Sequence, residues 1–479
     1  KNLSDSSVKK VKSAYRGRED QARIDEHLRA VFRVVELSGE EKLLLHFATL
    51  LPESGMDGEL FLSPFDVDLG DSLNDLIQGG WLLWKDELLR IHPVIRLVCR
   101  TEQPLTEGDC EAFLDKLWEQ YDRTQYRSDH YSQMAELFTI AHGRLGSRHG
   151  RWLNRAGILL NEITQYQKLH DLYRPRLAAL EDVLPSNSTE LARAYNYYGI
   201  SLNVLGRYSD ALLYGQKALT IRQAKLPEDD VELAYSYNNV GSAYENLGNY
   251  QKALESKLKA LEILKRALPP EHPDLATSYD SVGSTYHEQG NYRKALEYEL
   301  LALDIRKKVL SPEHPHLASS YDNVGYTYHA QKRYHKALEY QQLALDIRKK
   351  ALPPEHPGLA NSYNNVGIVY NALGSHRKAL EYQLNALRIA EHAFPPEHPQ
   401  LALYCHNIAW TYHDLGDFVS AAPYMRRAAD IIDRSDLPKN HPNRIDFPKL
   451  ADEYEEKAAM QRRLLSHLPD GISFPFGKK

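Results

Sequence analysis

The feature that most constrains this chain is a period. Leu191, Leu233, Leu275, Leu317, Leu359 and Leu401 follow one another at steps of 42 residues. Four residues after each comes a ring, at Tyr195, Tyr237, Tyr279, Tyr321 and Tyr363, with Cys405 in the sixth copy. Four further on stand Gly199, Gly241, Gly283, Gly325 and Gly367, then Ala409, and three beyond these Leu202, Tyr244, Tyr286, Tyr328, Tyr370 and Tyr412. A small residue recurs at Ala211, Ala253, Ala295, Ala337, Ala379 and Ala421. Steps of four, four and three keep these residues on one face of a helix, and self-similarity at a period of tens of residues is the signature of a tandem array.

One unit shows how the array folds. Tyr237, Val240, Gly241 and Tyr244 form a helical stripe, and Asn246-Leu247-Gly248-Asn249 ends that helix. A second helix carries Leu254, Leu258, Leu261 and Ile263 or Leu264. Gly241 and Ala253 lack bulk, so the two helices approach closely. Leu268-Pro269-Pro270-Glu271-His272-Pro273 stops the second helix and opens the next, with Pro273 suited to a first helical turn. A single pair cannot bury both of its apolar faces, so neighbours must stack into an all-α solenoid.

These residues, in the pattern LAxSYxNVGxxYxxxGxYxKALEYxxxALxIRKxxLPPEHP, resemble tetratricopeptide repeats of the 42-residue kinesin-light-chain type, from about Thr189 to Pro442. The resemblance implies a right-handed superhelix with a concave groove lined by the first helix of each pair. It sets six repeats over 187–442, a capping helix over 443–468 that is helical after Pro448, and a flexible tail over 469–479 with Phe474 and Phe476. Residues 105–186 read as a helical linker with degenerate repeats, Trp152 to Leu184 being one or two pairs.

The first hundred residues follow a different pattern. Ser38-Gly39-Glu40-Glu41 precedes an apolar helix over Lys42 to Leu51, with acids at its start. Another helix covers Ser72 to Gln78, Trp81 to Ile91 reads as a β-hairpin, and His92-Pro93 opens a helix through Arg100. This order over 38–104 is a winged-helix pattern. With HLRAVFRVVELSGEEKLLLHFATLLPESG and LIQGGWLLWKDELLRIHPVIRLVCR, it resembles the modules that follow the nucleotide-binding domain in NB-ARC or STAND signalling NTPases, the NLR-like proteins of plant immunity and bacterial defence among them. Residues 1–37 would be the remnant of the preceding helical module. The family's Met-His-Asp motif falls on Ile91-His92-Pro93, so the resemblance implies that His92 reads the β-phosphate of ADP in a full-length protein, Pro93 departing from the pattern. No G-x-x-x-x-G-K-[ST] occurs, so the chain itself lacks a phosphate cradle and is expected not to be an enzyme; it holds no cofactor of its own, and ADP or ATP belongs to the full-length protein. A start at Lys1 fits a fragment. Seven acids and no Lys or Arg between Leu43 and Trp84 disfavour DNA binding by the wing, and with it a transcription regulator.

The net charge of −6 gives no global pull toward nucleic acid or anionic membrane, and three cysteines without a CxxC pair fit a cytoplasmic protein without disulfides. His272, His314, His356 and His398 recur once per repeat, too far apart for one metal ion, and no metal site is expected. No catalytic set stands out.

The resemblance makes the groove the binding site for a protein or peptide. Its candidate residues are Asn196, Asn238, Asp280, Asp322, Asn364 and His406; Asn239, Asn323, Asn365 and Asn407; Tyr326, Ile368 and Trp410; and Glu245, His287, His329, Asn371 and His413. Asn suits main-chain recognition because its amide both donates and accepts. The columns lack the Lys and Arg of carboxylate clamps, so the expected ligand has an apolar anchor, with Trp410 as a hot spot. The chain is therefore expected to be the sensor region of an NLR-like signalling ATPase. Its partners would be a proteinaceous trigger, an upstream nucleotide-binding domain and further copies on activation, without nucleic acid or membrane. The alternative is a kinesin-light-chain-like adaptor that tethers a partner.

Overall fold

The computed structural model describes residues 37–65, 68–78, 81–86, 88–91, 95–96, 99, 107–121, 128–145, 150–435 and 442–466. The chain divides into two compact units, Lys1–Glu228 with Tyr235–Gly248, and Asp229–Ala234 with Asn249–Lys479. Among the described residues there are 21 helices and a single pair of strands.

The first unit opens with α1 (Gly39–Ala48), three residues earlier than expected because Ser38 and Glu41 close a reciprocal cap at its start. A short α2 (Gly58–Leu62), which the sequence did not suggest, is capped by Asp57 and held by buried Leu60 and Phe61. α3 (Gly70–Gln78) and an antiparallel hairpin, β1 (Leu82–Lys85) and β2 (Leu88–Ile91), follow, with Leu82 opposite Ile91 and Lys85 opposite Leu88. α4 (Glu107–Tyr121) and α5 (Ser128–Leu145) close this core, where Phe113 of α4 stacks on Phe47 at 4.6 Å.

The linker contains one degenerate pair. α6 (Gly150–Glu162) is its first helix, and the second is broken into α7 (Tyr166–Tyr173) and α8 (Leu177–Val183) around Pro175. Gly157 stands one period before Gly199. A Cβ there would lie 2.3 Å from the Tyr173 hydroxyl oxygen, so glycine is required for the ring to enter, and Tyr173 donates to Asn154 Oδ1 at 3.0 Å. The unit continues with the first repeat, α9 (Thr189–Val204) and α10 (Tyr208–Lys225), and most of α11 (Val231–Asn246).

The second unit contains α12 (Tyr250–Ala267) and four further pairs: α13 (Pro273–Glu288) with α14 (Tyr292–Val309), α15 (Pro315–Ala330) with α16 (Tyr334–Ala351), α17 (Pro357–Ala372) with α18 (His376–Ala393), and α19 (Pro399–Asp414) with α20 (Phe418–Arg434). Each of these first helices starts with Pro in its first turn after a His N-cap, whose Nδ1 accepts the backbone N–H two residues on, at 3.0–3.2 Å. Each occupies its ring nitrogen at a helix start. The turn inside each pair needs a left-handed residue, supplied by Gly206, Gly248, Gly290, Gly374 and Gly416, but by Lys332 at φ 60° in the fourth repeat.

A single helix α21 (Pro442–Ser466) closes the chain. It runs through Pro448 rather than starting after it, because buried Phe447 and Ala451 hold both sides of the proline. Phe447, Ala451 and Tyr454 stand one period after Cys405, Ala409 and Tyr412, so α21 carries the stripe of a further first helix. Phe447 stacks on His406 at 4.9 Å and Tyr454 on His413 at 5.5 Å.

Candidate protein-binding face

The column that follows each repeated ring is turned into the stack rather than toward a guest. In α13 and α15, Asp280 and Asp322 are only 15 % and 17 % exposed in their side chains, and each is paired with an arginine of the same repeat's second helix, Arg306 and Arg348. The same guanidinium groups donate to Ser320 and Ser362 on the first helix of the following repeat. One buried cation thus staples three helices. Burial pushes both carboxyls up from the usual range, and the paired arginines pull against that shift. Within the first unit, Arg222 reaches Ser236 in the same way at 2.6 Å.

The asparagines are also occupied. Asn239 donates to Asn196 at 2.8 Å, and Asn407 to Asn364 at 3.0 Å, each bond joining successive first helices. Asn323 and Asn365 take the equivalent places beside Asp280 and Asp322. Asn371 donates to Asp414 at 2.6 Å, and Glu245 is half-buried. The Asn238 side-chain oxygen is buried without a hydrogen-bond partner among the described residues. The columns expected to meet a ligand through Asn and Asp therefore spend most of their hydrogen-bonding capacity on the array.

A second polar column, missed from sequence, runs through Lys257, Glu299, Gln341 and Gln383 on the second helices, all buried. Glu299, Gln341 and Gln383 lie where Gly283, Gly325 and Gly367 leave room: a Cβ on Gly367 would be 2.6 Å from Gln383 Cγ. Three of the four reach forward to the next first helix, while Gln341 donates back to the Asp322 carbonyl of its own repeat at 3.1 Å. Lys257 donates to Thr285 at 2.9 Å, while Thr327 meets Glu299 and Thr411 meets Gln383, both at 2.8 Å. Burial raises the Glu299 carboxyl to about 8, against a weaker opposing hydrogen bond from Thr327, so it is mainly protonated at neutral pH.

The largest side chains left exposed on the second unit's first helices are aromatic. Tyr326 is 59 % exposed and Trp410 47 % exposed, in one column with half-buried Ile368 between them. His287 lies tilted against Tyr326 at 4.6 Å, and His413 stacks on Trp410 at 5.6 Å. His406 lies between Phe447 and Trp410, and His329 leans on Tyr334. Burial lowers the imidazoles of His287, His329 and His406, favouring neutral rings. Two carboxylates that sequence reasoning passed over, Glu288 and Asp414, sit beside this column, each directly after one of its histidines. That adjacency was the signal that could have found them.

His92 and Pro93 lie outside the described residues, as do 1–36 and 467–479. Among the described residues no three His, Cys, Asp or Glu converge as a metal set, and no helix is long and apolar enough to cross a membrane. Cys99 and Cys405 are buried thiols pushed up to about 12 and about 11 by desolvation, which makes them poor nucleophiles.

No curated protein matches the chain. Among solved structures, it is similar to the repeats of a kinesin light chain from Podosopora anserina, at 22% identity over 43% of this chain and 98% of that one, with a TM-score of 0.39. A STAND protein with a tetratricopeptide repeat sensor from Pyrococcus horikoshii is 20% identical over 82% of this chain and 63% of its own, with a TM-score of 0.46. A Rap protein complexed with competence and sporulation factor is 14% identical over 74% and 93%, with a TM-score of 0.45. Models of the tetratricopeptide repeat match 191–232 and, in overlapping copies, 232–434. With that match covering about half the chain, and helix pairs in tandem through it, the chain belongs to the tetratricopeptide-repeat proteins.

Proposed function

We propose that this chain is the ligand-sensing region of an NLR-like STAND signalling ATPase and binds a protein or peptide on the inner column of its repeats. The observation that carries the binding role is the row Tyr326, Ile368 and Trp410. Its polar neighbours are consumed by the stack, whereas two large rings in this row stay in solvent, as anchors of a binding surface do. The chain recognises and does not catalyse; its nucleotide chemistry belongs to a P-loop domain upstream of Lys1, where His92 would sense bound ADP. Ligand that prefers the active arrangement would shift the resting state toward assembly in the cytoplasm.

The binding role is tested by panning a random dodecapeptide library on phage against the wild type and Trp410→Ala. Loss of the Trp410 ring is expected to cost about 2 kcal/mol, roughly thirtyfold in affinity, and to abolish enrichment. Equal enrichment on both proteins sinks this surface. The switch is tested separately: His92→Ala in the full-length protein should raise basal activity and release ADP, and unchanged retention removes the role. A P-loop encoded upstream separates the sensor from a plain adaptor.

A further inference from the structure

Residues 280–288, 322–330, 364–372 and 406–414, the C-terminal halves of α13, α15, α17 and α19, contain no Lys or Arg. They contain four carboxylates, Asp280, Glu288, Asp322 and Asp414. The structure sorts these four. Asp280 and Asp322 are buried against Arg306 and Arg348, which cancels their charge before a ligand meets it. Glu288 and Asp414 carry no such arginine, and their side chains are 48 % and 30 % exposed.

Both survivors stand beside an exposed ring. Burial, and then the Glu288 carboxylate, push the Tyr326 hydroxyl up, and His287, 3.8 Å from that carboxylate, lies tilted against the tyrosine ring at 4.6 Å. Asp414 lies 3.4 Å from the Nδ1 of His413, which stacks on Trp410. In the turn after α15, Arg333 covers the Tyr328 ring at 5.1 Å. An electron-rich ring face with a carboxylate at its edge attracts a guanidinium or ammonium group twice, through the ring quadrupole and through the ion pair.

We propose, resting on the binding role assigned above, that the partner is a basic segment in extended conformation. It places one Arg or Lys at Tyr326 and Glu288, another at Trp410 and Asp414, and an apolar side chain over Ile368. Helices of successive repeats are about 8–10 Å apart, so the two cation positions are separated by roughly 16–20 Å. An extended chain covers that with about five or six residues at roughly 3.3 Å each.

The test reads the sequences recovered from the same panning, on the wild type and on Glu288→Gln with Asp414→Asn; neither residue belongs to a buried staple, and an asparagine at 414 can still accept from Asn371. Wild-type clones should be enriched about two- to fivefold in Arg and Lys over the naive library, at paired positions flanking an apolar residue. The enrichment should vanish on the double variant while apolar enrichment persists. Clones that depend on Trp410 but are neutral or acidic overturn the charge preference and leave the binding role standing. Clones that do not depend on Trp410, or none at all, overturn both.

Discussion

The third and fourth repeats solve the same packing problem differently from the fifth. In the former, Asp280–Arg306–Ser320 and Asp322–Arg348–Ser362 cross the stack as buried ionic staples. In the fifth repeat the same positions hold Asn364, Ala390 and Tyr404, a neutral set. The second repeat's Leu264 stands in the arginine's place, and Ser278, which an arginine would engage, is left buried without a partner among the described residues. The backbone unit is constant, and from the second to the fifth repeat the residues change together: an arginine comes with an aspartate, an apolar residue with an amide, whereas the first repeat sets Arg222 with Asn196 and Ser236. That coupling follows from the cost of an unpaired charge, which exceeds the gain from pairing it.

The largest break in the comparison is therefore a half-removed staple. Arg306→Ala leaves Asp280 buried and unpaired, and should destabilise the second unit by about 3–5 kcal/mol. Adding Asp280→Asn gives the pair the neutral Asn and Ala that the fifth repeat holds at 364 and 390, and should restore most of that loss. Urea unfolding followed by circular dichroism reads both; a double variant as unstable as the single would refute the coupling.

Glu299 sharpens the comparison, because Gln341 and Gln383 hold the same place one and two repeats on. Its carboxyl is raised from 4.5 to about 8 in the folded chain, so the native state holds a proton that the unfolded chain releases near 4.5. Stability from this group is complete below about pH 4.5 and declines as pH rises to about 8. Glu299→Gln keeps the Thr327 bond and removes that decline. It should match the wild type near pH 5 and exceed it by about 1–3 kcal/mol at pH 9, a range discounted from the full shift. Parallel stability curves from pH 5 to 9 would show that Glu299 is not the titrating group.

How much of this could be read beforehand depended on what repeats. The helix pairs, the Pro-started first helices and the Gly248 turn follow from local chemistry, so Pro273 and Gly248 stand where the sequence puts them. The broken second helix at α7 and α8 was not legible, since Leu169 replaces the small residue of the repeats and Pro175 interrupts the helix. The site was legible only in part. Tyr326, Ile368 and Trp410 line up because a column is a column in either description. Whether Asp280 faces a ligand or a neighbour depends on Arg306, which is 26 residues away and has no partner along its own helix to reveal the pairing. Polar residues at inner positions were read as solvent-facing; the second helices bring their own polar groups to meet them.

A smaller contrast lies in the turns. Lys332 adopts the left-handed conformation that glycine supplies at five equivalent turns. Lys332→Gly relieves that strain, partly offset by the greater freedom of an unfolded glycine, and should stabilise the fourth repeat by about 1 kcal/mol. An unchanged midpoint in urea would mean that the turn is not strained.

The smallest expected effect tests the empty staple. Ser278 Oγ is buried with no partner among the described residues, while Ser320 Oγ, one period later, accepts from Arg306. Removing a hydroxyl whose bond is never made recovers its desolvation cost; removing one that satisfies a buried guanidinium forfeits a charge-assisted bond. Ser278→Ala should therefore be neutral or stabilising by up to about 0.5 kcal/mol, whereas Ser320→Ala should cost about 1–2 kcal/mol. The two variants change one atom at the same place in the same helix, so neither propensity nor volume can separate them. A loss at Ser278 as large as at Ser320 would mean that the second repeat holds that hydroxyl by some other group, and that Leu264 is not what leaves it unbonded.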